Sequence, residues 1–180
     1  MVKRLSDIPI SGELFIDANV LIHIHGKPLP PQAKKAAKQA AYTNAIGPLL
    51  QNNRKLITTW LNVMETLNAH ERHMFEEYRA LLPAPCTLSK KQYRHLSQER
   101  KRVQAELRRV LNEIKNYYTI ISADPSESFI EQFVSSFASH TYDPNDFLAV
   151  ETIIDCGVMA AVTDDADFYG DSRLTVYTYS

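Results

Sequence analysis

The chain has 180 residues, 44% of them apolar, and a formal net charge of −1. That length supports one sizeable core, so a single domain over residues 1–180 is expected. The near-neutral balance excludes a chain-wide electrostatic attraction to nucleic acid, and no apolar run nears the roughly 20 residues that cross a bilayer.

Met1 to Pro9 lacks the apolar stretch of a secretory signal, which predicts a soluble, cytoplasmic protein with no membrane partner. Cys86 and Cys156 have no metal-ligand spacing and read as reduced, structural residues. Leu14-Phe15-Ile16 reads as a strand that ends at Asp17, with Val20-Leu21-Ile22 starting a helix. Pro30-Pro31 marks a loop before a helix over Gln32 to Ala41, which Gly47-Pro48 interrupts or restarts. Leu56-Ile57-Thr58-Thr59 is a second strand. Trp60, Val63, Met64 and Leu67 then fall at helical spacing, with Glu65 early in that helix and Pro83 ending it.

Beyond the prolines, Tyr93, Leu96, Val103, Leu107, Val110, Ile114 and Tyr117 predict one long amphipathic helix, so an extended helical segment covers about 60–117. Tyr118-Thr119-Ile120-Ile121 is a third strand. Asp124-Pro125 opens a helix carrying Phe129, Ile130, Phe133, Val134 and Phe137 on one face, and Asp143-Pro144-Asn145-Asp146 opens another. Val158 to Val162 and Leu174 to Tyr177 supply a fourth and a fifth strand. Strands alternating with helices predict an α/β fold, its mainly parallel sheet of about five strands covered on both faces.

In such sheets ligands gather at the carboxyl ends of the strands. Asp17 and the cluster Asp164, Asp165, Asp167 sit at that edge. Asp146 stands at a helix N-terminus, and Glu65 lies one turn into the helix after the second strand. Carboxylates brought together repel one another, and a divalent cation offsets that repulsion. Oxygen donors favour Mg2+ or Mn2+, and the chemistry implied is hydrolysis of a phosphodiester. His23 and His25, two residues apart on a helix, face different ways and read as packed or solvated side chains.

Asp17-Ala18-Asn19-Val20-Leu21 resembles the opening motif of PIN domains. Thr58 to Glu65, Asp146-Phe147-Leu148-Ala149-Val150 and Val162-Thr163-Asp164-Asp165-Ala166-Asp167-Phe168 resemble the second, third and fourth motifs, in order. The resemblance runs from Leu14 to Val176. It implies a three-layer α/β/α sandwich and a Mg2+- or Mn2+-dependent endoribonuclease, possible as the toxin of a toxin–antitoxin pair. It implies catalytic Asp17, Glu65, Asp146, Asp165 and Asp167, of which Asp17, Glu65, Asp146 and Asp165 hold metal, while Asn19 and Thr163 support them. RNA substrate, an antitoxin protein and a homodimer are the implied partners. The segment from Lys90 to Tyr117 is longer than the compact helical pair of a small VapC-type toxin.

Between Lys90 and Lys115 the chain is about six charges positive. Lys90, Lys91, Arg94, Arg100, Lys101 and Arg102 are candidate RNA-backbone contacts, or else part of a solvated face. A catalytically silent PIN-like scaffold that binds RNA or protein is the competing function. A haloacid-dehalogenase-like phosphatase would want an acid where Asn19 stands.

Overall fold

The structure is a computed structural model that describes residues 1–29, 33, 35–52, 54–85, 87–123 and 125–179. Pro30, Pro31, Gln32, Cys86 and Asp124, named above, lie outside the described residues. The strands are β1 (Val2–Arg4), β2 (Leu14–Ile16), β3 (Leu56–Thr59), β4 (Tyr118–Ile121), β5 (Ala160–Val162) and β6 (Thr175–Thr178). The helices are α1 (Ala18–His25), α2 (Ala36–Gln51), α3 (Trp60–Ala80), α4 (Lys90–Tyr93), α5 (Ser97–Tyr117), α6 (Glu127–Ser136) and α7 (Pro144–Asp155). All strand pairs are parallel, in the order β1-β6-β5-β2-β3-β4.

Successive strand residues point to opposite faces of a sheet, and here each face has its own core. Leu14, Ile16, Leu56, Val162 and Tyr177 pack against α1, α2, α3 and α5. Their neighbours Phe15, Ile57, Ala161 and Val176 pack on the other side with Phe147, Val150 and Ile153 of α7 and with Phe129 and Phe133 of α6. Helices on both faces make the three-layer α/β/α sandwich. Among the described helices none is long and apolar enough to cross a membrane.

The structure differs from expectation at five places. A sixth strand, β1, adds to the edge through β6; its three residues are all exposed and carry no alternation that would announce it. Pro48 does not interrupt α2, because Ile46 and Leu49 anchor that last turn in the core and Pro48's carbonyl still accepts bonds from the Asn52 backbone and side chain. The long helix after the prolines is two, α4 and α5, separated where Leu96 is extended. The split lets Tyr93 turn in against Phe75 and Tyr78, forming a third core with Met74 and Val103. The apolar residues expected on one helix face do not share it: Phe129 and Phe133 of α6 pack inward, whereas Ile130 and Val134 of α6 and Phe137 just after it are exposed. Cys156 is a free thiol on the exposed surface rather than a core residue.

Phe15 is fully buried in the strand at the centre of the sheet. Phe15→Ala is expected to cost about 3–5 kcal/mol of unfolding free energy, read from the urea midpoint at constant slope. A loss below 1 kcal/mol would remove Phe15 from the core.

Candidate active site

The sheet grows from β2 in two directions, to β3 and β4 on one side and to β5 and β6 on the other. The crevice between β2 and β5 is therefore the topological switch point, where loops diverge and leave room for a ligand. Asp17 follows β2 and caps α1, its Oδ1 accepting the Ala18 amide at 2.7 Å. Thr163 follows β5 and is fully buried; its hydroxyl donates to Asp17 Oδ2 at 2.7 Å. The same hydroxyl oxygen accepts from the Asn19 amide at 3.1 Å and from the Asp165 N–H at 2.9 Å. Asn19 Oδ1 in turn accepts the Asp164 N–H at 3.2 Å.

These bonds divide the final aspartates. Asp165 caps the 3-10 turn over Ala166–Gly170, accepting the Asp167 N–H at 2.9 Å. One ligand oxygen each of Asp146, Asp165 and Asp167 lie within 4.8 Å of one another. Asp164 faces the other way: Tyr42 donates to its Oδ1, Lys38 lies 2.7 Å from its Oδ2, and His23 lies 3.9 Å from it. Asp146 reaches the cluster because α7 runs back toward the start of β5, which puts its N-terminus at the carboxyl edge. Asp143 caps that helix, accepting the Asn145 and Asp146 amides.

Asp17 and Glu65 stand beside the trio rather than within it. Both Asp17 oxygens are engaged, Oδ1 also by the Asn62 side-chain amide at 3.4 Å. Burial pushes the Asp17 carboxyl up to about 7; the Thr163 and Ala18 bonds oppose this, and repulsion from Glu65 and Asp165 adds to it. Asp146 is likewise pushed up to about 7, first by burial and then by Asp143, Asp17, Asp165 and Glu65. Glu65 presents exposed surface, yet partial desolvation and the nearby Asp143 and Asp165 raise its carboxyl, with Arg72 opposing. Asp17, Asp146 and Glu65 thus each feel the charge of Asp165.

Asn62 and Thr66, polar residues beside Glu65 on α3, are buried. Asn62 braces Asp17, and Thr66 donates to the Asn62 carbonyl at 2.7 Å. Asn62 is a site residue that the sequence reading missed; its signal was a polar residue three positions after a strand of small hydroxyls. His25 is buried between Glu113 and Tyr118, and His23 stacks on Tyr42, so both histidines are packed. Of the basic candidates, Lys90 and Arg94 pair with Glu71, and Arg102 with Glu99 and Glu77. Lys91, Arg100 and Lys101 have no ion pair among the described residues. Tyr93 is buried and Tyr117 exposed.

No family model matches the chain, and no curated protein does. Among solved structures, the chain is similar to one in the crystal structure of VapBC2 from Rickettsia felis bound to a DNA fragment from their promoter. The match covers 94% of this chain and 100% of that one, at 13% identity and a TM-score of 0.52. At that identity the likeness is one of fold.

An acid whose folded pKa is raised stabilises the protein fully below its unfolded value, and that contribution is lost as pH rises through the folded one. For Asp146 the window runs from the ordinary 3.8 to about 7. Without divalent metal, Asp146→Asn is expected to gain stability relative to the parent chain as pH rises from 4 to 7, with a plateau above. Urea midpoints of both proteins across that range give the difference. A difference that does not change with pH would mean that Asp146 is not held in a repulsive, desolvated setting.

Proposed function

We propose that the chain is a divalent-metal-dependent endoribonuclease. The observation that carries this reading is the convergence of Asp146, Asp165 and Asp167 at the switch point of a parallel sheet, with Asp17 and Glu65 close enough to add to the upward shift of the Asp146 carboxyl. The donor set fits Mg2+ or Mn2+: it is all carboxylate oxygen, with no thiolate or imidazole to favour a softer ion. Asp146, Asp165 and Asp167 are the residues that would hold the cation, with Asp17 and Glu65 bordering it. A cation there supplies charge to offset that developing on a phosphodiester and activates water for attack.

The chain's own groups supply the positioning. Thr163 and Asn62 fix both oxygens of Asp17, so that its carboxylate needs no reorganisation when substrate arrives. Asn19 holds the backbone of Asp164 and the hydroxyl of Thr163, which keeps Asp165 turned toward the trio. Asp146, its carboxyl pushed up by burial and by Asp143, Asp17, Asp165 and Glu65 in the bare site, would be relieved of that repulsion by the cation. The fold likeness to VapBC2 supports a toxin partnered by an antitoxin as the biological setting, with RNA as the substrate.

Purified protein is expected to cleave RNA in Mg2+ or Mn2+ and to stop when chelator is added. Asp146→Asn and Asp165→Asn should each lower the rate by about a hundredfold or more, with unchanged circular dichroism. Cleavage that survives chelator, or variants as active as the parent, would sink the mechanism. RNA bound but never cut would favour the silent scaffold.

A further inference from the structure

Beside the acid crevice lies a second hollow that the trio of aspartates does not use. It is a cleft of about 410 Å³ between α1, α2 and α3, with Glu106 of α5 in its wall. Asn19 and His23 of α1 line it, and both also border the acids: Asn19 holds Thr163 and the Asp164 backbone, and His23 lies 3.9 Å from Asp164. Cleft and crevice therefore share a wall. On α3, Arg72 lies in the cleft at i, i+7 spacing from Glu65, on the same helical face and about 10 Å along the axis.

The acids of the cleft are already matched. Glu77 pairs with Lys27 at 2.6 Å, Glu76 with Arg79 at 2.7 Å and Glu106 with Arg109 at 2.8 Å. Lys35 and Arg72 are exposed and have no ion pair among the described residues, so the positive charge that the cleft offers a ligand is theirs. Ile22 and Leu29 add apolar surface, and His73 adds a flat ring whose pKa partial desolvation, Arg72 and Lys35 push down, which keeps it neutral. His70 is 4% exposed; its Nδ1 lies 3.6 Å from Glu106, and its Nε2 has no hydrogen-bond partner among the described residues. A buried polar nitrogen without a partner is costly, and in a cleft wall it marks a place for a ligand's polar edge.

Two free cations, a neutral ring, an apolar wall and an unpaired nitrogen suit a ligand that is anionic at one end and flat at the other, with hydrogen-bonding groups on its edge. We infer that the cleft seats the nucleotide next to the scissile phosphate, Lys35 and Arg72 holding its phosphate while the base lies against Ile22 and His73 with an edge group at His70 Nε2. The inference rests on reading the acids as the cleavage site. It runs the strand along α1 and α3 and away from Arg100 and Lys101. A nucleotide strand is favoured over an acidic peptide because it repeats phosphate and ring at short intervals, so one strand serves the crevice and the cleft together.

Fluorescence anisotropy of a labelled, single-stranded RNA oligonucleotide, recorded in chelator so that nothing is cut, reads the cleft directly. Lys35→Gln with Arg72→Gln should weaken binding by at least about tenfold and flatten its dependence on salt. Both side chains are exposed, and circular dichroism checks the folding. Adenosine monophosphate should displace the oligonucleotide at concentrations at least about tenfold lower than inorganic phosphate, because only the nucleotide brings a base. Its addition should also move the His70 Nε2 resonance in imidazole 1H–15N spectra. Inorganic phosphate, or polyglutamate of equal charge, competing as well as the nucleotide would overturn the proposal. So would a His70 resonance that does not move, or RNA binding that ignores Lys35 and Arg72 and is lost with Arg100→Gln and Lys101→Gln. Binding measured in this way can succeed in a chain that never cuts RNA and fail in one that does, so the two readings fall separately.

Discussion

The hydroxyl of Thr163 joins the two strands at which the sheet changes direction, and the arrangement of the acids depends on it. A threonine hydroxyl offers one donor and two acceptor positions, and all three are occupied, by Asp17, Asn19 and the Asp165 N–H. Because the side chain is fully buried, none of these bonds competes with water. The consequence is steric as well as electronic. With the Asp165 amide held inward, Asp164 is turned to Tyr42 and Lys38, while Asp165 is left to cap the next turn and meet Asp146 and Asp167. A tethered threonine of this kind is an orienter, with no proton free for nucleophilic work.

The elements were legible where periodicity and punctuation agreed. Leu14-Phe15-Ile16 ending at Asp17, and Asp143-Pro144 opening α7, combine an apolar run with a capping residue, and both fall where they were expected. The elements that were missed lacked such a signal. β1 is held by main-chain pairing and by the Met1 amino group donating to the Leu174 carbonyl, neither of which leaves a mark in side-chain pattern. The break before α5 follows from Tyr93 seeking Phe75 and Tyr78, a contact distant in sequence.

At the site, the sequence pattern named Asp17, Glu65, Asp146 and Asp165 as candidate metal ligands and said nothing of how they are grouped. One oxygen each of Asp146, Asp165 and Asp167 lie within 4.8 Å of one another. Asp17 is held by Ala18, Thr163 and Asn62, and no one-dimensional spacing reveals those bonds. The inner partners Asn62 and Tyr42 were invisible for the same cause, since each acts across more than 40 residues. The split of α6 into an inward and an outward apolar face was likewise hidden, because its four apolar residues, Phe129, Ile130, Phe133 and Val134, exceed what one neighbour can cover.

The placement of the acids also says which charge the crevice presents outward. Asp17, Asp143 and Asp165 each cap a helical turn, and Asp146 lies in the first turn of α7, so helix ends offer partial positive charge to four carboxylates. That offset is incomplete: Asp17 and Asp146 still titrate near neutrality, which is what unrelieved burial and mutual repulsion produce. The nearest cation on the Asp164 side, Lys38, is spent on the one aspartate that faces away. The crevice therefore keeps a negative field that a polyanion cannot enter alone. An anionic ligand would have to share the space with a counter-charge, and the repulsion that destabilises the bare site is free energy that a bound cation would release.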